Sequence, residues 1–175
     1  MRKDVSVGFV GVLLCWGMVA ANPLRPLTSP PVQFYEKHCA SCHGKEGAMF
    51  TKPFENKYAS VDELREMVRS MPGADALDEA GLQAMVAYMR AISRGEPFIA
   101  WTRERDRVIE GEVSPANAVL TAAAGRLPLS VERPAPNRWR IRLPAKVKPA
   151  NVRLRASLGS KAVVLFLKDS RLTQR

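Results

Sequence analysis

Five consecutive residues, Cys39-Ala40-Ser41-Cys42-His43, carry the most specific chemistry in the chain. Two thiols three positions apart can form thioethers with the two vinyl groups of one porphyrin. The next residue, His43, then lies beneath the iron and can ligate it through a ring nitrogen. C-x-x-C-H is the attachment pattern of a c-type haem. Two other chemistries use a C-x-x-C pair. A redox dithiol needs a strand–helix setting, which the flanks do not offer. Zinc needs two further ligands, and the sequence has only Cys15, inside an apolar run, and His38 to supply them. The motif therefore assigns Cys39, Cys42 and His43 to one covalently attached haem c.

These residues need elements to hold them. Val32 to Cys42 reads as a short helix that delivers both cysteines, with Pro31 at its start, where a missing N–H costs nothing. Gly44 and Gly47 let the chain turn closely past a porphyrin edge. A carbonyl near Pro53 could accept the proton of the second His43 ring nitrogen and fix the ring. Ser60-Val61-Asp62-Glu63 has the form of a capping box. It opens a helix to about Ser70 with Leu64, Met67 and Val68 on one face. That helix stops at Met71-Pro72-Gly73, where the residue before proline is driven to extended geometry. Met71 is thus free to project its sulfur sideways. Asp78 caps a last helix to about Arg94, with Gly95 as its stop. Leu82, Met85, Val86 and Met89 form its apolar stripe, widened by Tyr88 and Ile92. Few large apolar groups surround the cysteines, so the haem is expected to be a large part of the core.

The run from Val32 to Arg94 resembles a small class I cytochrome c. The resemblance rests on C-x-x-C-H, the aromatic Tyr35 four residues before Cys39, the following Gly44, Gly47 and Pro53, the Met-Pro pair, and the closing LDEAGLQAMVAYMR. It implies an all-α, cytochrome c-like domain of three to four short helices around haem, with Tyr35 packed on the last helix. It also implies Met71 as the second axial ligand, with Met67, Met49 or no protein ligand as alternatives. Met67, Met85 and Met89 otherwise read as core filler, and His38 as a surface residue. Two departures are Pro31, where many members carry glycine, and the short interval from His43 to Met71. The latter leaves few residues to cover the haem, so an exposed edge is expected. His/Met ligation favours the ferrous state and raises the potential relative to two histidines. It leaves no open site for a substrate.

The N-terminus looks like a targeting segment. Arg2 and Lys3 precede the uncharged run Val5 to Ala20, and Val19 and Ala21 suit cleavage before Asn22. That is the plan of a secretory signal peptide, residues 1–21. An uncleaved N-terminal membrane anchor is the other reading, for which the run is a little short. Asn22 to Pro31 holds four prolines and reads as an extended tether. Export agrees with covalent haem attachment, so the expected location is the periplasm.

Net charge is +10 over 175 residues and is uneven. Residues 31–97 carry 8 Lys and Arg against 10 Asp and Glu, whereas residues 98–175 carry 16 against 6. The expected organisation is a cytochrome c domain over 32–97 and a basic, β-rich C-terminal region over 98–175. Within the latter, Trp101 to Glu112 reads as a solvated linker or short helix, and Ala116 to Ala124 as helix or strand. Period-two alternation predicts strands at Asn137–Leu143 and Asn151–Ala156, with arginines 138, 140, 142, 153 and 155 on their outer faces. The continuously apolar Ala162–Leu167 predicts a central or covered strand.

These readings converge on a periplasmic electron-transfer protein that shuttles single electrons between redox partners, without catalysis of its own. Alternatives are a haem subunit of a larger oxidoreductase, or a haem enzyme or sensor with a labile methionine. The arginine stripe suits an acidic docking surface on a redox partner, or membrane headgroups, and its attraction would fall with salt. Export argues against nucleic acid.

Overall fold

Pro31 occupies the first turn of helix α1, Pro31–His38, as its missing N–H allows. The structure, a computed structural model, describes residues 26–172. The expected signal peptide and the first part of the tether lie outside the described residues. Four α-helices come first: α1, α2 at Ala40–His43, α3 at Val61–Arg69 and α4 at Glu79–Arg94. The expected single helix through both cysteines is thus divided at Cys39. Ser60 and Asp78 cap as the sequence suggests, accepting the N–H groups of Glu63 at 3.1 Å and Gly81 at 2.7 Å. Glu63 reaches back to the Ala59 N–H, one residue beyond the usual capping-box partner.

The apolar stripe of α4 is buried as expected, with Leu82, Met85, Val86, Tyr88, Met89 and Ile92 packed against Leu64 and Val68 of α3 and Val32 and Tyr35 of α1. The helices enclose a substantial core of their own, because α4 is buried on more than one stripe.

The C-terminal region is larger than the three strands expected. It forms two four-stranded antiparallel sheets. The first has the order β1-β2-β6-β5: β1 Phe98–Arg105, β2 Val108–Ser114, β6 Arg138–Arg142 and β5 Glu132–Ala135. The second has the order β4-β3-β7-β8: β4 Leu127–Leu129, β3 Val119–Ala124, β7 Val152–Leu158 and β8 Lys161–Phe166. Their inner faces share one core, led by Trp139, Ile109, Ile141, Leu154 and Leu165. The stretch expected as a linker, 101–112, is a hairpin. Its two-residue turn, Asp106-Arg107, has positive φ at both positions, 48° and 63°, which matches the twist of the strands it joins. The run Ala162–Leu167 is not central and is covered on one face only, where Val163, Leu165 and Leu167 are buried. β8 ends its sheet, and Val164 and Phe166 face solvent.

Helices and sandwich are tied together at several points. Phe98 and Ala100 of β1 and Leu172 belong to the helical core. The Tyr88 and Ser114 hydroxyls meet at 3.3 Å. Nor is the end of the proline-rich segment a free spacer: Leu27 is buried and its N–H donates to the Trp101 carbonyl at 3.0 Å.

Candidate functional site

The cysteine pair stands at the junction of α1 and α2. The Cys39 N–H closes α1 on the Tyr35 carbonyl at 2.8 Å, and the Cys39 carbonyl accepts the His43 N–H at 3.0 Å. Cys39, Cys42 and His43 are therefore set by one short turn of helix. Both thiols are free, Cys39 half-buried and Cys42 exposed. Burial, and then the neighbouring Cys42, push the Cys39 thiol above its ordinary range. Redox dithiols work the opposite way, through a lowered thiol pKa. Among the described residues no three His, Cys, Asp or Glu side chains gather where they could hold a metal ion by themselves.

The two elements flanking the motif are held firmly. Tyr35 is fully buried, donates to the Gly44 carbonyl at 3.2 Å and meets Tyr88 of α4 edge-on at 5.5 Å. Burial pushes its hydroxyl up to about 12, so it stays a donor. This is the packing of Tyr35 on the last helix that the resemblance implied. On the other side, the His43 ring stacks on Phe50 at 4.8 Å, and Phe50 meets Phe54 at 4.4 Å. The ring is thus backed by an aromatic pair, where a carbonyl near Pro53 was expected. The segment behind it is clamped to α4: Glu55 pairs with Arg90 and Arg94, and its N–H donates to the buried Ser93 hydroxyl at 2.9 Å.

Met71 sits in a turn. Its N–H still donates to the Val68 carbonyl, and its own carbonyl accepts the Ala74 N–H, both at 3.1 Å. Pro72 follows, and Gly73 has φ 85° and ψ −8°. That is a type II turn, with proline and glycine where its geometry asks for them. The expected extended stretch is therefore a tight, hydrogen-bonded corner. A Cβ on Gly73 would stand 3.3 Å from His38 Nδ1. His38 in turn stacks on Phe34 at 4.5 Å. Gly73 of the Met71 corner thus lies close to the side chain of His38, the last residue of α1. His38 itself is exposed, as expected of a surface residue. Met67 lies half-buried against the helical core, and Met49 is 73% exposed.

Residues 27–89 match the family model for cytochrome c oxidase, cbb3-type, subunit III. The match covers most of the helical unit and none of the sandwich. The match begins at Leu27, where the chain becomes buried, and takes in all four candidate residues, Cys39, Cys42, His43 and Met71. A cytochrome c family implies covalently bound haem c and a part in electron transfer, as a carrier or an oxidase subunit. No curated protein and no solved structure matches the chain. The donor set fits such a group: two free thiols, an adjoining imidazole and a half-buried thioether.

Two residues that no local pattern singles out bind the helical unit to the sandwich. Glu46, three residues after His43, accepts the Ala116 N–H at 3.1 Å and the Asn137 side-chain amide at 3.4 Å. Glu112 of β2 is buried, and its carboxylate accepts the N–H groups of Val32 at 2.8 Å and Gln33 at 3.0 Å. Charged residues in a charged stretch carry no signal of such roles.

The arginines expected as one stripe belong to different sheets. Arg138, Arg140 and Arg142 are on β6 and Arg153 and Arg155 on β7, and these strands do not pair. Their alternation with buried residues is as expected. The β6 row is substantially answered by acids: Arg140 pairs with Glu110 at 2.6 Å, and Arg138 stands across from Glu112 and donates to Gln33. Among the described residues no helix is long and apolar enough to cross a membrane.

Proposed function

We propose that the chain is a periplasmic electron-transfer protein that carries one haem c. Cys39 and Cys42 would bind it through thioethers, with His43 and Met71 as axial ligands. The observation that supports this most is the approach of the Met71-Pro72-Gly73 corner to His38, the residue just before the free thiol pair and its histidine. Bound haem c supplies a one-electron couple at near-constant geometry. The protein's residues hold it there. The cysteines keep it from leaving when a partner docks. Phe50 backs the His43 ring, and the Glu55 clamp keeps that loop on α4. With both axial positions taken by side chains, no substrate site remains, which favours a carrier over an enzyme.

The matching family is described as an oxidase subunit, and this favours a second reading in which the chain works as the haem subunit of a larger oxidoreductase. Migration with a large complex on native gels of solubilised membranes would support it.

The test is covalent attachment. Protein matured in a host with a cytochrome c assembly system should retain its colour through acidified-acetone extraction. The Cys39→Ser, Cys42→Ser double variant should lose it completely. Colour that the wild type gives up to the solvent would end the proposal.

A further inference from the structure

The outer face of the second sheet carries two arginines with no acid across from them. Its residues follow from the register. Across β3, β7 and β8 the outward-facing rungs are Val119–Ser157–Ala162, Thr121–Arg155–Val164 and Ala123–Arg153–Phe166. Arg153 and Arg155 stand in the middle, two positions apart on one strand. Their cross-strand neighbours are apolar or a hydroxyl, and neither has an ion pair or side-chain hydrogen bond among the described residues. Val119 is 63% exposed, Val164 40% and Phe166 42%. A cleft of about 580 Å³ opens at the end of this face, bordered by Lys146, Arg153, Phe166 and Lys168, with no carboxylate in its lining. The contrast with β6 is direct, since that row lies among Glu110, Glu112 and Glu132.

An apolar sheet face that exposes a phenylalanine is not needed for folding. Aromatic residues and arginine are enriched at the centre of protein interfaces, where lysine and acids are depleted. The unanswered charge calls for anions, and a guanidinium matches a carboxylate through two parallel hydrogen bonds. Arg153 and Arg155 leave β7 on the same side, beside the exposed Val164 and Phe166. Arginine next to an exposed aromatic and aliphatic group is the make-up of the centre of a protein interface.

We propose that this face, with the cleft at its end, docks a protein that presents Asp and Glu side chains around an apolar centre. The proposal rests on the electron-transfer reading for its purpose, because such a protein would be the redox partner or the neighbouring subunit. The docking itself is a property of the sheet.

A photo-crosslinking residue placed at Thr121 in the full-length haem-loaded protein, in its native host, tests it. A second probe at the exposed Glu104 of β1 serves as control. Thr121 should yield a protein adduct whose crosslinked peptide, sequenced by mass spectrometry, contains acidic residues. Arg153→Glu with Arg155→Glu should cut its yield at least tenfold, with haem content unchanged. Thr121 giving no adduct, giving only phospholipid, or giving the same adduct after charge reversal would overturn the proposal. So would charge-dependent sedimentation with phosphatidylglycerol vesicles in the absence of any protein adduct. Failure of the electron-transfer reading shows separately, as protein without covalent haem, and a charge-dependent adduct would then still uphold the docking face.

Discussion

Glu112 caps Val32 across the boundary between sandwich and helices. Its carboxylate accepts the Val32 and Gln33 N–H groups at the start of α1, whose own N-cap, Pro30, offers no side-chain acceptor. The first N–H groups of a helix have no partner within it, and negative charge near that end is favourable. The helix that presents the cysteine pair is therefore completed by a residue far along the chain, in β2.

Removal of that cap should be costly. Glu112→Ala leaves the buried Val32 N–H and the part-buried Gln33 N–H without an acceptor, worth about 2–3 kcal/mol together. Thermal or urea unfolding of the full-length protein should show a loss of that size. An unchanged midpoint would mean that water replaces the carboxylate.

The same residue should give stability a pH dependence. Burial pushes the Glu112 carboxyl up to about 7, against the opposing pull of the Val32 and Gln33 N–H groups and of Arg138, and Glu36 adds a smaller upward push. The folded chain then binds the proton more tightly than the unfolded chain. The contribution is fully present below the ordinary 4.5 and is lost as pH rises through about 7. Glu112→Gln cannot titrate and should flatten this part of the stability profile. A wild-type profile that rises over the same interval would contradict the assignment.

The helices were legible because their signals are local. Ser60, Asp78 and Gly95 each mark a helix end by a bond to a near neighbour, and the α4 stripe repeats at helical spacing. The β1–β2 hairpin was not, because its turn uses Asp106-Arg107 where the usual signal is Asn-Gly. β8 looked central because its whole run is apolar. Its outer residues meet solvent, a use of apolar surface that no local pattern announces. The bonds of Glu46 and Glu112 span many positions, so only the fold could show them.

Gly111 tests the close packing of the first sheet. A Cβ there would stand 1.9 Å from the Ala100 carbonyl oxygen and 2.4 Å from the Trp139 ring. Neither neighbour can yield easily, since one is backbone and the other is the fully buried centre of the sandwich. Gly111→Ala should cost about 3 kcal/mol or more, read as a lowered denaturant midpoint. Gly125→Ala is a poor control because of its positive φ. The exposed Thr121→Ala should change little.

Cutting the chain after Pro97 should undo more than the sandwich. It removes Glu112 from α1, the Ala116 and Asn137 partners from Glu46, and Phe98, Ala100 and Leu172 from the helical core. Loss of one buried aromatic and a doubly used cap amounts to about 5 kcal/mol or more, comparable with the whole stability of a small domain. The isolated helical part should show reduced helical circular dichroism and broad, non-cooperative melting. A sharp transition near that of the full chain would show that the helices stand alone.

The last prediction separates the candidate thioethers. Met67 is half-buried against the helical core on a regular helix, as core filler would be, and Met49 is largely exposed. Met71 alone is placed by a type II turn, whose Gly73 lies close to His38 at the end of the helix that leads into Cys39. A ligand must be held within a narrow geometry, and a turn fixed by proline and glycine does so without help from the metal. Met71→Ala should therefore abolish the weak long-wavelength band of thioether-ligated ferric haem and lower the reduction potential. Met67→Ala should keep the band and lose about 2–3 kcal/mol of stability as a truncated core residue. The reverse pattern would move the axial ligand to α3 and leave the Met71 corner as a structural stop between two helices.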